Sequence, residues 1–255
     1  MKSNKQINQV GQKGRLYITR RIWLPQYPLQ QANLWLAERI NRHMPKLPIV
    51  GDEALECFPE LSLLPDNHEA IKKELLQLLK KKEHIPDLYQ VHPRDKSIYS
   101  PQWRIYILKL WGYEIATNIS RCPETMKVVA RIPGVHTALF SILDPHSGIP
   151  PHEGWAAGVV RCHYPLITPE KREDCFMEVA GHRLCWQERE PLLFDDTRTH
   201  SVKNNTSQMR VVLIVDFEPP MPLPLRAFTK LRYHLVRNSE EIRHMCENAA
   251  VGQPS

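Results

Sequence analysis

At 255 residues, 42% hydrophobic and 24% charged, the chain is long enough for one substantial core, and it has no apolar run near the roughly 20 residues of a membrane helix. The basic N-terminus, MKSNKQINQVGQKGRLYITRR, lacks the apolar core of a secretory signal, which argues against export. The net charge of +6 favours anionic small molecules or an anionic surface, but no nucleic-acid motif accompanies the scattered basic residues, so nucleic acid is not expected.

The six cysteines show no C-x-x-C pair and no zinc-type spacing. Cys175 and Cys185 can face each other across a hairpin, yet without an export signal thiols are expected, in a reducing cytoplasm.

Residues 1 to about 25 read as an arm, followed by a helix over 29–44 with Leu29, Leu34, Leu36 and Ile40 at loosely helical spacing. DNHEAIKKELLQLLKKKEHIP (66–86) is the clearest helix. Asp66 or Asn67 can cap it, Ile71, Leu75, Leu76 and Leu79 form its apolar stripe, and Lys80, Lys81 and Lys82 suit its negative end. RIYILKLWGY (104–113) alternates as a strand, and RCPETMKVVARIPG (121–134) reads as a short helix with Pro123 in its first turn.

From His136 to Pro219 the pattern is of short strands: TALFSIL, GVVRCHYPLI, DCFMEVAG, HRLCWQE, PLLFDD and QMRVVLIVDFEP, with the third and fourth forming a hairpin. Residues 225–247 read as a helix packed on the outside. The sum is one antiparallel β-core flanked by helices.

Within that core, Arg161 and His163 in VVRCHYP share one strand face, while Val160, Cys162 and Tyr164 share the other. His152 and His200, each taken alone, read as loop histidines beside strand ends. Arg210 follows His200 by ten residues and opens the apolar strand RVVLIVDF on the face of Val212 and Ile214. An Arg at the root of a buried strand requires an anionic partner, and since no acidic residue obviously supplies one, a bound anion is expected.

The order of first His, distant second His and then Arg resembles the layout of two metal ligands and a co-substrate clamp in 2-oxoglutarate-dependent oxygenases. Imidazole ligands with open positions suit Fe(II), to which such enzymes add a carboxylate two residues after the first His. Gly154 occupies that position here, and Glu153 points to the opposite strand face from His152.

The string AxFSIL-P--GIPPHEG, R-HYPL, FDDTRTH and MRVVLIVDF resembles the aspartyl/asparaginyl β-hydroxylase family, from about residue 55 through FPEL and the CPET helix to about Pro220. The family includes the animal hydroxylase of epidermal-growth-factor-like domains and bacterial lipid A acyl hydroxylases. The resemblance implies a mainly β fold with flanking helices around a double-stranded β-helix (jelly-roll or cupin-like) core. Its implied domain plan is an N-terminal arm and helix over 1–54, the oxygenase domain over 55–220, and a C-terminal helix and tail over 221–255.

It also implies an enzyme with Fe(II) as cofactor and 2-oxoglutarate as co-substrate, hydroxylating a C–H of a small-molecule, amino-acid or peptide-type substrate. His152 and His200 would hold the metal without a carboxylate ligand, as in the animal member. Arg210 would pair with the distal carboxylate of 2-oxoglutarate, with Ser141 nearby, Arg161 and His163 on the pocket face, and Trp103 on its wall. Where the animal enzyme carries a further Arg, two residues before the position of Arg161, this chain has Val159, and Trp155 replaces a usual Pro. The alternatives are a lipid or acyl-chain hydroxylase and a non-catalytic metal-binding barrel.

Overall fold

The structure is a computed structural model that describes residues 39–40, 42–43, 46–93, 98, 100–154 and 158–251. Of the helix expected over 29–44, Arg39 and Ile40 are helical and Arg42 and His43 form a turn; the remaining residues of that stretch and Trp155 lie outside the described residues.

Strand β1 (Ile49–Val50) leads into helix α1 (Gly51–Cys57) and then α2 (Leu63–Asp66) and α3 (His68–Leu79). The helix expected over 66–86 is therefore α3, His68–Leu79, with Asp66 the last residue of α2 and a single turn at Lys82–His84 beyond it. Asn67, at the break, donates from Nδ2 to the Leu63 carbonyl (2.8 Å), closing α2 and leaving α3 without a side-chain cap. Ile71 and Leu75 are the buried part of the expected stripe, and Leu76 is exposed. Beyond the end of α3, Lys82 pairs with Asp144 (2.7 Å).

The next elements are α4 (Leu88–Val91), β2 (Trp103–Leu110), β3 (Tyr113–Glu114), α5 (Ala116–Ile119), α6 (Pro123–Val129) and β4 (Val135–Leu143). The strand expected to reach Tyr113 stops at Leu110, because Trp111 and Gly112 take φ of 50° and 83° to turn the chain into β3. Strands β5 (Ser147–His152), β6 (Val160–Ile167), β7 (Cys175–Val179), β8 (His182–Cys185), β9 (Leu192–Phe194), β10 (His200–Asn204) and β11 (Arg210–Phe217) complete the β-core. The expected hairpin is β7–β8, turning at Ala180 and Gly181. Cys185 faces Phe176 across it, and all six cysteines are free thiols.

Two antiparallel sheets result, in the orders β1-β9-β6-β11-β4-β2-β3 and β5-β10-β7-β8. The larger sheet buries a different cluster on each face. Val160, Cys162, Tyr164 and Leu166 of β6, with Val211, Leu213, Val215 and Phe217 of β11, join Phe58, Leu64, Ile71, Leu75 and Met126 from the helices. Each such side chain contributes roughly 1.5–3 kcal/mol of burial. The opposite faces, with Val212, Ile214, Leu192 and Phe194, meet Met177, Val179, Ile149 and Val202 of the smaller sheet. This is a double-stranded β-helix with flanking helices, as the sequence led us to expect.

The helix expected over 225–247 is broken at Asn238–Ser239 into α7 (Leu223–Arg237) and α8 (Glu240–Ala249). Ser239 caps α8 by accepting from the Ile242 amide (3.3 Å), and Ile242, Met245 and Ala249 seat that helix in the inner cluster. No described helix is long and apolar enough to cross a membrane.

Candidate metal and co-substrate site

Strand β5 ends on His152 and β10 begins on His200, and the two are direct partners in the ladder. Between Ile149, opposite Val202, and His152, opposite His200, β5 spends one residue more than β10. Residues three apart face opposite sides of a regular strand, but the bulge at Pro150–Pro151 turns both Ile149 and His152 inward. Proline suits that position, since it has no N–H to leave unpaired.

The two imidazoles lie 4.1 Å apart between ring centroids. Nδ1 of His152 bonds the Pro150 carbonyl and Nδ1 of His200 the Arg198 carbonyl, both at 2.8 Å, so each Nδ1 carries the proton and each Nε2 keeps a free lone pair. Burial is the main cause that lowers both pKa values to about 4, and it holds the pair neutral at neutral pH.

The expected gap at Gly154 is filled from elsewhere. A β-carbon built at Gly154 would fall on the carboxylate of Asp196, whose backbone carbonyl also accepts from the Gly154 amide (2.7 Å). Asp196 Oδ1 stands 3.6 Å from His200 Nε2. The turn between β9 and β10 thus delivers a carboxylate into the space where a side chain at position 154 would project. Glu153 is occupied on the outside, accepting from Thr199 Oγ1 (2.7 Å).

Arg161 holds this carboxylate. Its Nε and Nη2 donate to the two oxygens of Asp216 (2.7 and 2.8 Å), and Nη1 donates to Asp196. All three guanidinium nitrogens therefore face carboxylates. Burial works against its charge, but Asp196 and Asp216 outweigh that and raise its pKa further. Asp196, buried beside Asp216, has its pKa raised, and Arg161 offsets only part of the shift.

At the other end of β11, Arg210 is 0% exposed and has no such partner. Nη1 reaches Ser141 Oγ (3.2 Å) and, less well, the Ser141 carbonyl (3.4 Å), while Nε and Nη2 have no hydrogen-bond partner. Burial pulls its pKa down to about 10. Trp103 Nε1 also donates to Ser141 Oγ (2.9 Å), so that oxygen accepts twice and its own proton is free to be donated. A buried guanidinium with two idle donors is costly unless an anion completes it.

Rings join the two ends. Trp186 lies 4.7 Å from the Arg210 guanidinium and donates from Nε1 to His163 Nδ1 (3.3 Å). His163 meets Phe194 edge-on (4.9 Å), and Phe194 meets His200 (5.1 Å). The Trp186 bond leaves the His163 proton on Nε2, and burial followed by the Arg210 charge keeps that ring neutral.

Of the residues expected from sequence, His152 and His200 form one pair, Ser141, Arg210 and Trp103 form a second group, and His163 lies between them. Arg161 was expected beside the co-substrate; its guanidinium is instead taken up by Asp196 and Asp216. Asp196, Asp216, Trp186 and Phe194 were missed. For Asp196, the available signal was the spacing of four residues before His200 in FDDTRTH.

Two neutral imidazole nitrogens turned inward are donors that suit a divalent transition metal such as Fe(II), while Asp196 is held by Arg161 and, among the described residues, no three His, Cys, Asp or Glu side chains are grouped to ligate one ion. Arg210, with Nε and Nη2 unbonded, has donors left for an anion. Paired inward histidines and a buried arginine thus stand on one double-stranded β-helix.

Residues 65–220 match the model of the family described as aspartyl/asparaginyl beta-hydroxylase, and the chain belongs to that family of hydroxylases. It is 36% identical over 193 residues to an ornithine lipid ester-linked acyl 2-hydroxylase of Rhizobium tropici, covering 74% of this chain and 68% of the relative. It is 29% identical over 172 residues to aspartate beta-hydroxylase domain-containing protein 2 of Mus musculus, covering 63% of this chain and 48% of the relative. The chain thus spans about half the length of that relative. A prolyl hydroxylase structure from Trichoplax adhaerens aligns with TM-score 0.45 and 15% identity, over 80% of this chain and 96% of that one.

Proposed function

We propose that the protein is an iron(II)- and 2-oxoglutarate-dependent dioxygenase that hydroxylates an unactivated C–H in the acyl chain of a polar lipid. The observation that carries the co-substrate is Arg210, buried with two nitrogens unbonded and no carboxylate to meet them. When bound, iron with 2-oxoglutarate supplies the oxidation: dioxygen gives one oxygen atom to the C–H and the other to 2-oxoglutarate, which leaves as succinate and carbon dioxide.

The chain's own residues position and shield. His152 and His200 hold the iron through Nε2, their tautomers fixed by the Pro150 and Arg198 carbonyls. Asp196, fixed by Arg161, keeps negative charge beside that pair. Arg210 and the Ser141 hydroxyl would bind the distal carboxylate, and the His163 Nε2 proton would be a donor for the oxo-acid end. Trp186 and Phe194 keep water out, which strengthens each of these contacts.

Two observations favour an acyl chain over an amino-acid or peptide-type substrate. The Rhizobium tropici relative is named for lipid acyl hydroxylation. Val159 stands where the animal hydroxylase carries an Arg, and it is buried in the inner apolar cluster. The test is incubation with iron(II), 2-oxoglutarate and ester-linked ornithine lipids under air. Succinate matched by one added oxygen on an acyl chain is expected. Turnover on an amino acid or peptide alone would overturn the substrate, and no succinate with any of these would leave a non-catalytic module.

A further inference from the structure

We propose that helix α7 is a docking surface for an anionic lipid bilayer, lying flat with its apolar edge in the acyl region and its basic edge among the headgroups. Its inner face is spoken for: Thr229 and Tyr233 are buried, and Tyr233 stacks on His136 (3.8 Å between centroids) and packs on Trp111 (4.8 Å). The outer face is not. Phe228, Leu231 and Leu235, three and four residues apart, are 48%, 58% and 63% exposed, and Leu223 is 78% exposed. Of the seven large apolar residues exposed among the described ones, these are four, so the apolar surface is concentrated on one helix.

Beside that stripe runs a second, of Arg226, Lys230, His234 and Arg237, spaced by four, four and three, all exposed. The fifteen residues of α7 include no Asp or Glu. The basic stripe also forms one wall of a surface groove of about 550 Å³, to which Lys109 and His136 contribute. Half of the exposed arc is thus apolar and half cationic, the pattern of a helix that lies in a membrane interface.

Charge decides the occupant. A second copy meeting this face with its helix antiparallel, about a two-fold axis across the helix, would set the basic stripes against each other. Residues 1–38 of the chain carry six Lys and Arg against one Glu, so they too would repel it. The apolar stripe stands on the outward side of the helix, since none of Phe228, Leu231 and Leu235 lines the groove beside the basic stripe, and a bilayer of anionic lipid matches both halves of the surface. The orientation suits the site: Thr229 packs beside Gly158, in the loop that follows His152, and Tyr233 stands within electrostatic reach of Asp216 and Arg161. Docking rests on this surface alone, so it is measured separately from the lipid hydroxylation proposed above.

The experiment is co-sedimentation of the full chain with vesicles of phosphatidylcholine, with and without phosphatidylglycerol. Binding to the anionic vesicles is expected to exceed binding to the neutral ones by at least about tenfold and to weaken with salt. Arg226→Glu with Lys230→Glu, and separately Leu231→Ser with Leu235→Ser, should each lower vesicle binding by at least about tenfold while circular dichroism and 2-oxoglutarate binding stay unchanged. The proposal is overturned by wild-type protein that ignores anionic vesicles, by variants that bind as well as wild type, or by a dimer that the serine variant dissociates while vesicles remain unbound. Capture of an acidic peptide in preference to vesicles would overturn it equally.

Discussion

Strand β11 carries a buried charge at each end of its inner face, and the two ends are finished differently. At one end Asp216 faces Arg161 of β6 across the ladder, and with Asp196 it engages all three nitrogens of that guanidinium. At the other end Arg210 has two nitrogens without partners, and burial pulls its pKa down. Both arginines are desolvated, but only one is compensated by the protein. The compensated end is architecture that holds a carboxylate near the paired histidines; the uncompensated end is the one proposed above to bind the distal carboxylate.

The largest effect is expected from breaking the satisfied end. Arg161→Met strands two buried carboxylates and should cost about 3–5 kcal/mol, roughly 6–20 °C of melting temperature for a chain of this size. Arg210→Met should do the reverse in the absence of ligand, leaving the melting temperature unchanged or higher, while weakening 2-oxoglutarate binding by at least about 30-fold, the equivalent of ~2 kcal/mol. Calorimetric melting of both variants beside 2-oxoglutarate titrations checks the contrast. Equal destabilisation by the two would erase it.

Strand alternation made this contrast half legible in the sequence. It separated Arg161 and His163 from Val160, Cys162 and Tyr164, and it put Arg210 with Val212 and Ile214 on an inner face. The missing carboxylate at Gly154 was equally plain. What replaces it was not, because Asp196 reaches Gly154 only after the turn between β9 and β10 folds back onto the end of β5. Strand β10, HSVKN, is polar enough to read as loop, and the bulge at Pro150–Pro151 that turns His152 inward depends on its pairing with β10. The cap of the helix over 66–86 was misread for a local reason: the Asn67 side chain bonds backwards to Leu63, so only its carbonyl, accepting from the Ile71 amide, starts the next helix.

The Asp196 end can be sharpened further. Asp196→Ala should lower Fe(II) affinity by about 10–100-fold, the usual range for a group that supports metal ligands. Gly154→Asp alone should fail, since its side chain collides with Asp196. Combined with Asp196→Ala it should recover metal binding, because the carboxylate then arises from the other strand into the same space. Anaerobic metal titration of the four proteins reads the cycle, and full independence of the two positions would refute the shared slot.

The smallest effect is on pH. His152 and His200 titrate near 6.5 when unfolded but near 4 when folded, so between those values the unfolded chain binds more protons. Stability of the metal-free protein is therefore lost as pH falls, by about 1 kcal/mol per imidazole between pH 7 and 5.5. Asp196 works the other way, since its raised pKa lets the folded chain keep a proton that the unfolded chain releases, and it offsets part of the loss. Melting temperatures across this range should drop for the wild type and drop more steeply for Asp196→Asn.

The most direct test of the whole account is an anaerobic titration of 2-oxoglutarate into protein with and without Fe(II), followed by dialysis and by the visible charge-transfer absorption of an iron–oxo-acid chelate. The account predicts tight binding and the absorption band only with iron present, with the band lost in His152→Ala and His200→Ala and the affinity lost in Arg210→Met. Binding of 2-oxoglutarate that ignores both the metal and Arg210 would contradict it.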